Sequence, residues 1–308
     1  MKFTCLALFF CSVTACPALA QKLAIDTVFI KSYAQKIIIQ GYFSTNNIEL
    51  VTAGKTYLPN YPLNVGLGLA VKNTVINATF DYGLLPLKSN TYGKTKLTDF
   101  QIHNYGRHFM LDLFLQKYKG FYNSDINNHQ IVNYPNLSVS QIGAEGSYIF
   151  NGNKFSGKAA YEQSEKQLQS AGSFILGGGV YLFKIGLDSL MVIHASTPIR
   201  TFQIGVNLGY GYSWVINNYW MLSGIAKIGA NTENEPQMAG TGKFRIYPTA
   251  FAKGSATYQK PNWSVSFLML INNKSVYAYQ NEFKVTVVNF QLAYVRHLNS
   301  IFKRKKRV

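Results

Sequence analysis

The chain has 308 residues and a formal charge of +17, a balance that in a cytosolic protein points to nucleic acid. Its three cysteines, Cys5, Cys11 and Cys16, all fall within the first twenty residues, so a chain that loses this stretch has no disulfide, thiolate metal site or cysteine nucleophile. No later stretch approaches about eighteen uninterrupted apolar residues, which excludes a membrane-crossing helix.

Taken from the N-terminus, residues 1–20 read as an export signal. Lys2 supplies the positive start, Phe3 to Val13 the apolar run, and Ala18-Leu19-Ala20 a small-x-small cleavage site before Gln21. Val13-Thr14-Ala15-Cys16 loosely matches a bacterial lipobox and keeps lipidation of Cys16 open as an alternative. Cleavage removes one lysine and no acid, taking the charge from +17 to +16. Export then makes membrane lipid and lipopolysaccharide the expected partners of that charge, and not nucleic acid. Residues 21–35 are expected as a short periplasmic segment, 36–298 as the folded body, and 299–308, with Lys303-Arg304-Lys305-Lys306-Arg307, as a solvated basic tail.

The body is built of alternating segments. Lys36 to about Val51 predicts one long strand. Leu63–Lys72 and Thr74–Gly83 flank Asn73; Thr98–Tyr105 and Phe109–Tyr118 flank Gly106–His108; Leu137–Phe150 and Phe155–Gln163 flank Asn151-Gly152-Asn153, an Asn-Gly hairpin signal. Thr201–Trp214 alternates Phe202, Ile204, Val206, Leu208, Tyr210, Tyr212 and Trp214 against polar residues and glycine, and turns at 216–218 into Tyr219–Ala230. Lys243–Tyr258 and Trp263–Asn272 flank Gln259–Asn262. Longer polar connections separate these pairs: Lys55–Pro62, Leu84–Thr95, Lys119–Asn136, Asn231–Gly242 and Asn273–Glu282. Short turns alternating with long loops, on strands greasy on one face only, predict an all-β fold: a single closed antiparallel transmembrane β-barrel. With the N-terminus on the turn side, parity demands an extra rising strand at Asp188–Ser196; the count is then about fourteen, with twelve as the alternative. Trp214, Trp220 and Trp263 all lie near the proposed turns and, with Tyr258, Phe150 and Phe155 at matching heights, predict an interfacial girdle.

The segment Tyr105-Gly106-Arg107-His108-Phe109-Met110-Leu111-Asp112-Leu113-Phe114, followed by Tyr118-Lys119-Gly120-Phe121-Tyr122, is specific. With Asn64-Val65-Gly66-Leu67-Gly68, Gly93-Lys94-Thr95-Lys96, Ser170-Ala171-Gly172-Ser173-Phe174 and Gly209-Tyr210-Gly211-Tyr212, it resembles a family of Bacteroidota proteins known only as a domain of unknown function, from about Asp26 to Leu298. The resemblance implies an exported outer-membrane β-barrel, folded by the barrel-assembly machinery, and carries over no catalytic residue.

Polar phases of the strands should face the lumen, giving the candidate lumen charges Asp81, Asp99, His103, Asp112, Glu145, Lys158 and Glu162 on the early strands and Lys227, Arg245 and Lys253 on the later ones. Such a division would set a transverse field suited to small polar or anionic solutes; the same groups could instead pair and rigidify a filled interior. A porin-like passive pore is therefore expected first, a non-conducting surface or assembly scaffold second, and a lipid-modifying enzyme third. The enzyme reading is weak. His103 and Asp99 are two pleats apart, roughly 13 Å, no serine sits in a nucleophile motif, and neither a metal-ligand spacing nor a P-loop is present, so no cofactor is expected. Gly177-Gly178-Gly179 reads as close packing in the wall. The connection Lys119–Asn136, with Tyr122 and Tyr134, is expected to reach above the membrane.

Overall fold

In the computed structural model, period-two alternation becomes a wall with two unlike faces. The structure describes residues 25–35, 37–60, 63–71, 74–80, 88–124, 130–191, 198–234, 244–278 and 281–299; the expected leader, Asp81 and all of the tail but Asn299 lie outside them. Strand β2 (Ile37–Thr52) buries every even residue from Ile38 to Thr52, while Ile39 and Phe43 point out. The same holds around the ring formed by β4 (Asn64–Val71), β5 (Thr74–Phe80), β6 (Lys96–Tyr105), β7 (Phe109–Ser124), β8 (Ile131–Ile149), β10 (Ala171–Gly186), β11 (Ile199–Val215), β12 (Trp220–Asn234), β13 (Phe244–Gln259), β14 (Trp263–Ala278) and β15 (Asn281–Leu298). Each pairs antiparallel with its chain neighbours in the wall, and β15 pairs with β2 from Lys284↔Val51 to Leu298↔Ile37, so the ring closes with twelve strands. Three short strands stand apart from that order: β1 (Ile30–Ser32), β3 (Lys55–Tyr57) and β9 (Glu165–Gln167).

The exterior is apolar: Val206 is 68% exposed, Ile228 67% and Ile246 77%. Buried Gln203, Ser213, Asn231 and Glu233 lie on the inner face of the same strands. A water-soluble sandwich would hide the first set and show the second. The inverted pattern, on strands of 15 to 19 residues in the longer half of the ring, is that of a transmembrane barrel.

Twelve strands, not fourteen, correct the expected count, and two linked errors explain the difference. Phe155–Gln163 is not a strand. After the turn at Asn151–Asn153 the chain enters the lumen, forms a π-helical turn at Lys158–Glu162 and the short β9, and only then rejoins the wall as β10, which pairs directly with β8. Ser156 accepts the Ala159 N–H at 3.1 Å and starts this turn. The compensating strand at Asp188–Ser196 is not needed: residues 187–191 are coil and turn, Asp188 binding back to Asn136 N–H and Leu190 N–H, and 192–197 lie outside the described residues. With both removed, parity holds. The connections following β4, β6, β11 and β13 and the 150–170 insertion share one end, here the turn end, and the remaining connections share the loop end. The connection expected at Lys119–Asn136 is also shorter than expected, because β7 and β8 continue to Ser124 and from Ile131.

Candidate functional site

The candidate site is the lumen, and it has three storeys. At the turn end, the insertion and the N-terminal segment make a plug. β1 pairs with β9, Ile30↔Gln167 to Ser32↔Glu165, with Ile30 and Phe155 wholly buried. Polar contacts seat it. Arg107, in the β6–β7 turn, pairs with Glu165, whose other oxygen accepts from Ser156 Oγ at 2.7 Å. Gln167 holds Lys154 O and Gln169 O, and Ser255 Oγ on β13 donates to Ala160 O at 2.7 Å. His297 Nε2 contacts Gln163 O at 2.8 Å while its ring stacks on Tyr33 at 4.1 Å, and His108 bridges Ile149 O and Asn153 Oδ1. Burial and the neighbouring Arg107 hold the Lys158 ammonium down to about 8, against the pull of Glu162, and burial pushes the Glu162 carboxyl up.

The middle storey is polar. On neighbouring strands His103 Nδ1 lies 2.5 Å from Asp112 Oδ1, which also accepts from Tyr105 Oη at 2.8 Å. Asp99 is buried and accepts from Gln101 and from Asn46 three strands away. Lys227 on β12 pairs with Glu145 on β8, and Glu145 also accepts from Tyr181 Oη at 3.0 Å. Lys253 reaches from β13 over the Tyr161 ring of the plug at 4.6 Å and towards Tyr105 at 6.0 Å, on the strand diametrically opposite. Lys274, for which the alternation gave no signal, lies over Tyr181 at 3.4 Å. Nearer the loop end Glu233, likewise unsignalled, accepts from Gln203 Nε2 at 3.0 Å and from Tyr277 N–H at 2.6 Å, and Arg245 lies over the Tyr277 ring. Among the described residues the space between these groups includes two chambers of about 70 and 100 Å³ that share His103, Tyr105, Tyr161 and Lys253. That is room for ordered waters.

The loop end is roofed. A bulge at Gly120, with φ of +91°, turns both Phe121 and Tyr122 inward, and Leu58 exchanges two backbone hydrogen bonds with Tyr122 across the mouth. Asn60 N–H donates to Thr95 Oγ1 at 2.8 Å, and Thr95 donates on to Gly120 O at 2.6 Å. Below this lid Ile48, Leu50, Tyr57, Leu97, Tyr134, Leu137, Phe183 and Phe283 form a buried apolar cluster. Tyr122 and Tyr134 thus stopper the barrel and do not rise above it, contrary to the expectation for that connection.

Of the ten expected lumen charges, Asp81 lies outside the described residues. Asp99, His103, Asp112, Glu145, Lys227, Arg245 and Lys253 sit on wall strands as placed above, and Lys158 and Glu162 belong to the plug. The last two were expected on the strand Phe155–Gln163; on one helical turn instead, each charge acts on the other. The pairing of His103 with Asp112 was not expected, since His103 was weighed only against Asp99; the β6–β7 register puts the two directly opposite, and Arg107, His108 and His297 were likewise given no role as plug anchors. On the outside, Trp214 and Trp220 are exposed near the turn end; Trp220 and Trp263 both pack on Tyr258, at 5.1 and 5.8 Å, and Trp263 stacks on Tyr294. Phe150 continues that level, but Phe155 does not: it is buried in the plug.

The geometry defines a class, a twelve-stranded transmembrane barrel with an internal plug. The chain belongs to the family described as Domain of unknown function (DUF4421), whose model matches residues 24–295. No curated protein matches it. Among solved structures it is similar to the translocator domain of autotransporter NalP from Neisseria meningitidis, at 11% identity, covering 96% of this chain and 98% of that one with a TM-score of 0.44. It is also similar to the beta domain of the Bordetella autotransporter BrkA (10% identity, 84% and 99% covered, TM-score 0.38) and to the Pseudomonas putida toluene transporter TodX (7%, 87% and 91%, 0.32).

Proposed function

We propose that the chain is exported by residues 1–20 and resides in a bacterial outer membrane as a closed, non-conducting barrel, a scaffold that acts through its rims. The observation that carries this reading is that the described residues occupy the lumen from both ends, plug below and apolar stopper above, with small chambers, two of them of about 70 and 100 Å³, between. A passive pore needs a continuous wet path, and opposed charges that could have set a field across it meet each other instead, as Lys227 and Glu145 do. An embedded hydrolase needs a nucleophile beside its base. Among the described residues, His103 has no serine or threonine hydroxyl as a hydrogen-bond partner.

Planar-bilayer recording of the purified barrel tests the proposal: the wild type should insert without unitary current steps. Stable, ion-selective steps from the wild type would return the pore to first place, and lipid hydrolysis by the silent barrel would favour the enzyme. Orientation is tested on intact cells, where a cysteine at Thr91 in the loop-end lid should label and one at Pro261 in the β13–β14 turn should not. Labelling in the reverse order defeats it.

A further inference from the structure

The outer wall carries a second candidate site that the lumen does not explain. Register places outward-facing residues of adjacent strands in rows. One row near the loop end runs Thr98–Lys117–Ser140–Lys184 and on to Arg200, from β6 through β7, β8 and β10 to β11. The next row towards the rim brings Lys96 directly opposite Lys119. All five cations are exposed, and among the described residues the outward faces of β6, β7, β8, β10 and β11 hold no carboxylate. The opposite wall differs: there the outward Lys284 has Glu282 at 3.9 Å. Like charges placed directly across a strand pair repel, so Lys96 with Lys119, and Lys184 with Arg200, are arrangements that ask for an anion.

What lies below the cations says what kind of anion. Two residues further from the rim, roughly 7 Å along the strands, the wall presents Phe100–Leu115–Ile142–Leu182–Phe202, every one exposed and apolar. Between the two rows Ser140, Ile142, Leu182, Lys184, Arg200 and Phe202 line an open groove of about 500 Å³. A cationic ledge directly above an apolar groove fits an amphiphile whose phosphates sit at the ledge and whose acyl chains run down the wall. Neighbouring strands are about 4.8 Å apart, so the long side chains of Lys117, Lys184 and Arg200 can converge on a single headgroup, and Arg200 can bind phosphate through two nitrogens.

We propose that this face binds a phosphorylated glycolipid of the outer leaflet, of the lipid A type, with Lys184 and Arg200 at the centre of the phosphate site. The assignment rests on the outer-membrane orientation proposed above, which puts the loop end in the outer leaflet.

The test uses the refolded full barrel in phosphate-free detergent, offered bis-phosphorylated lipid A, its dephosphorylated form, or phosphatidylglycerol, with retention read by native mass spectrometry. The wild type should retain bis-phosphorylated lipid A at least tenfold better than either other lipid. The double variant Lys184→Ala/Arg200→Ala should lose that preference, whereas Lys284→Ala should keep it. Equal retention of the three lipids by the wild type, or an undiminished preference in the double variant, overturns the proposal. Flotation of both proteins with neutral vesicles separates the two readings. A wild type that floats without lipid preference defeats the glycolipid site alone, and one that does not float defeats the membrane reading and this site with it.

Discussion

The two faces of one wall handle charge in opposite ways. Inside, Lys227 meets Glu145, His103 meets Asp112, Arg107 meets Glu165, and the ammonium groups of Lys253 and Lys274 lie over tyrosine rings. Outside, on β6 to β11, Lys96, Lys117, Lys119, Lys184 and Arg200 gather with no described carboxylate among them. Desolvation accounts for the difference. A charge shut inside the barrel must be matched within the molecule, because an unpaired one is costly. A charge on the rim keeps its water and can wait for a partner that the protein does not encode. Much of the chain's net charge of +17 is therefore no lumen property at all, and its visible share near the loop end belongs to the outer surface.

The sharpest way to break this comparison is to unpair an inner charge. Lys227→Ala strands Glu145 and should cost about 3–5 kcal/mol in denaturant unfolding of the refolded barrel. Lys227→Met combined with Glu145→Gln should recover most of it. A cost under about 1 kcal/mol for the single change would mean that water reaches Glu145.

A charge forced onto the outer wall comes next. Leu208, 60% exposed at the middle of β11, should tolerate arginine only at roughly 2–4 kcal/mol in a bilayer. No penalty for Leu208→Arg in vesicles would show that this face does not meet lipid.

The plug supplies a pH test. Lys158 releases its proton at about 8 in the folded barrel, against 10.5 for a lysine free in water. Between those values the unfolded chain binds more protons, so stability rises with pH through that window; below it the burial cost is present in full. Thermal unfolding should show the wild type gaining from about pH 7.5 to about pH 9.5, and Lys158→Met gaining less.

Smaller still, Trp220→Ala removes a ring 5.1 Å from Tyr258 and should cost about 0.5–1.5 kcal/mol. Least of all, Lys184→Ala in phosphate-free detergent should change stability by no more than about 0.5 kcal/mol in either direction. A large loss there would place Lys184 in an internal network and erase the contrast between the faces.

Period-two alternation made the wall legible: the hairpins around Asn73, Gly106–His108, Ile216–Asn218 and Gln259–Asn262, and the unbroken first strand, all stand where the residues put them. The plug was not legible. Phe155, Ala159 and Tyr161 alternate with Ser156, Lys158, Ala160 and Glu162 much as a wall strand does, because a segment lodged in a lumen also meets mixed surroundings. The same period can therefore describe a strand or a short helical turn, and only the pairing of β8 with β10 separates them.

Within the wall strands the sequence by itself determined which residues turn outward and which inward, since side chains alternate along a strand and a slipped register would expose every polar group at once; off that pattern it misplaced Phe155, and the bulge at Gly120 breaks it at Phe121 and Tyr122. Tertiary structure alone decided the rest: that the ring closes at twelve, that Lys227 finds Glu145 across the lumen, and that Lys117, Lys184 and Arg200 share one ledge. These contacts join residues far apart in the chain. Their distances depend on strand count, stagger and the path of the plug, which are properties of the closed ring and not of any one segment.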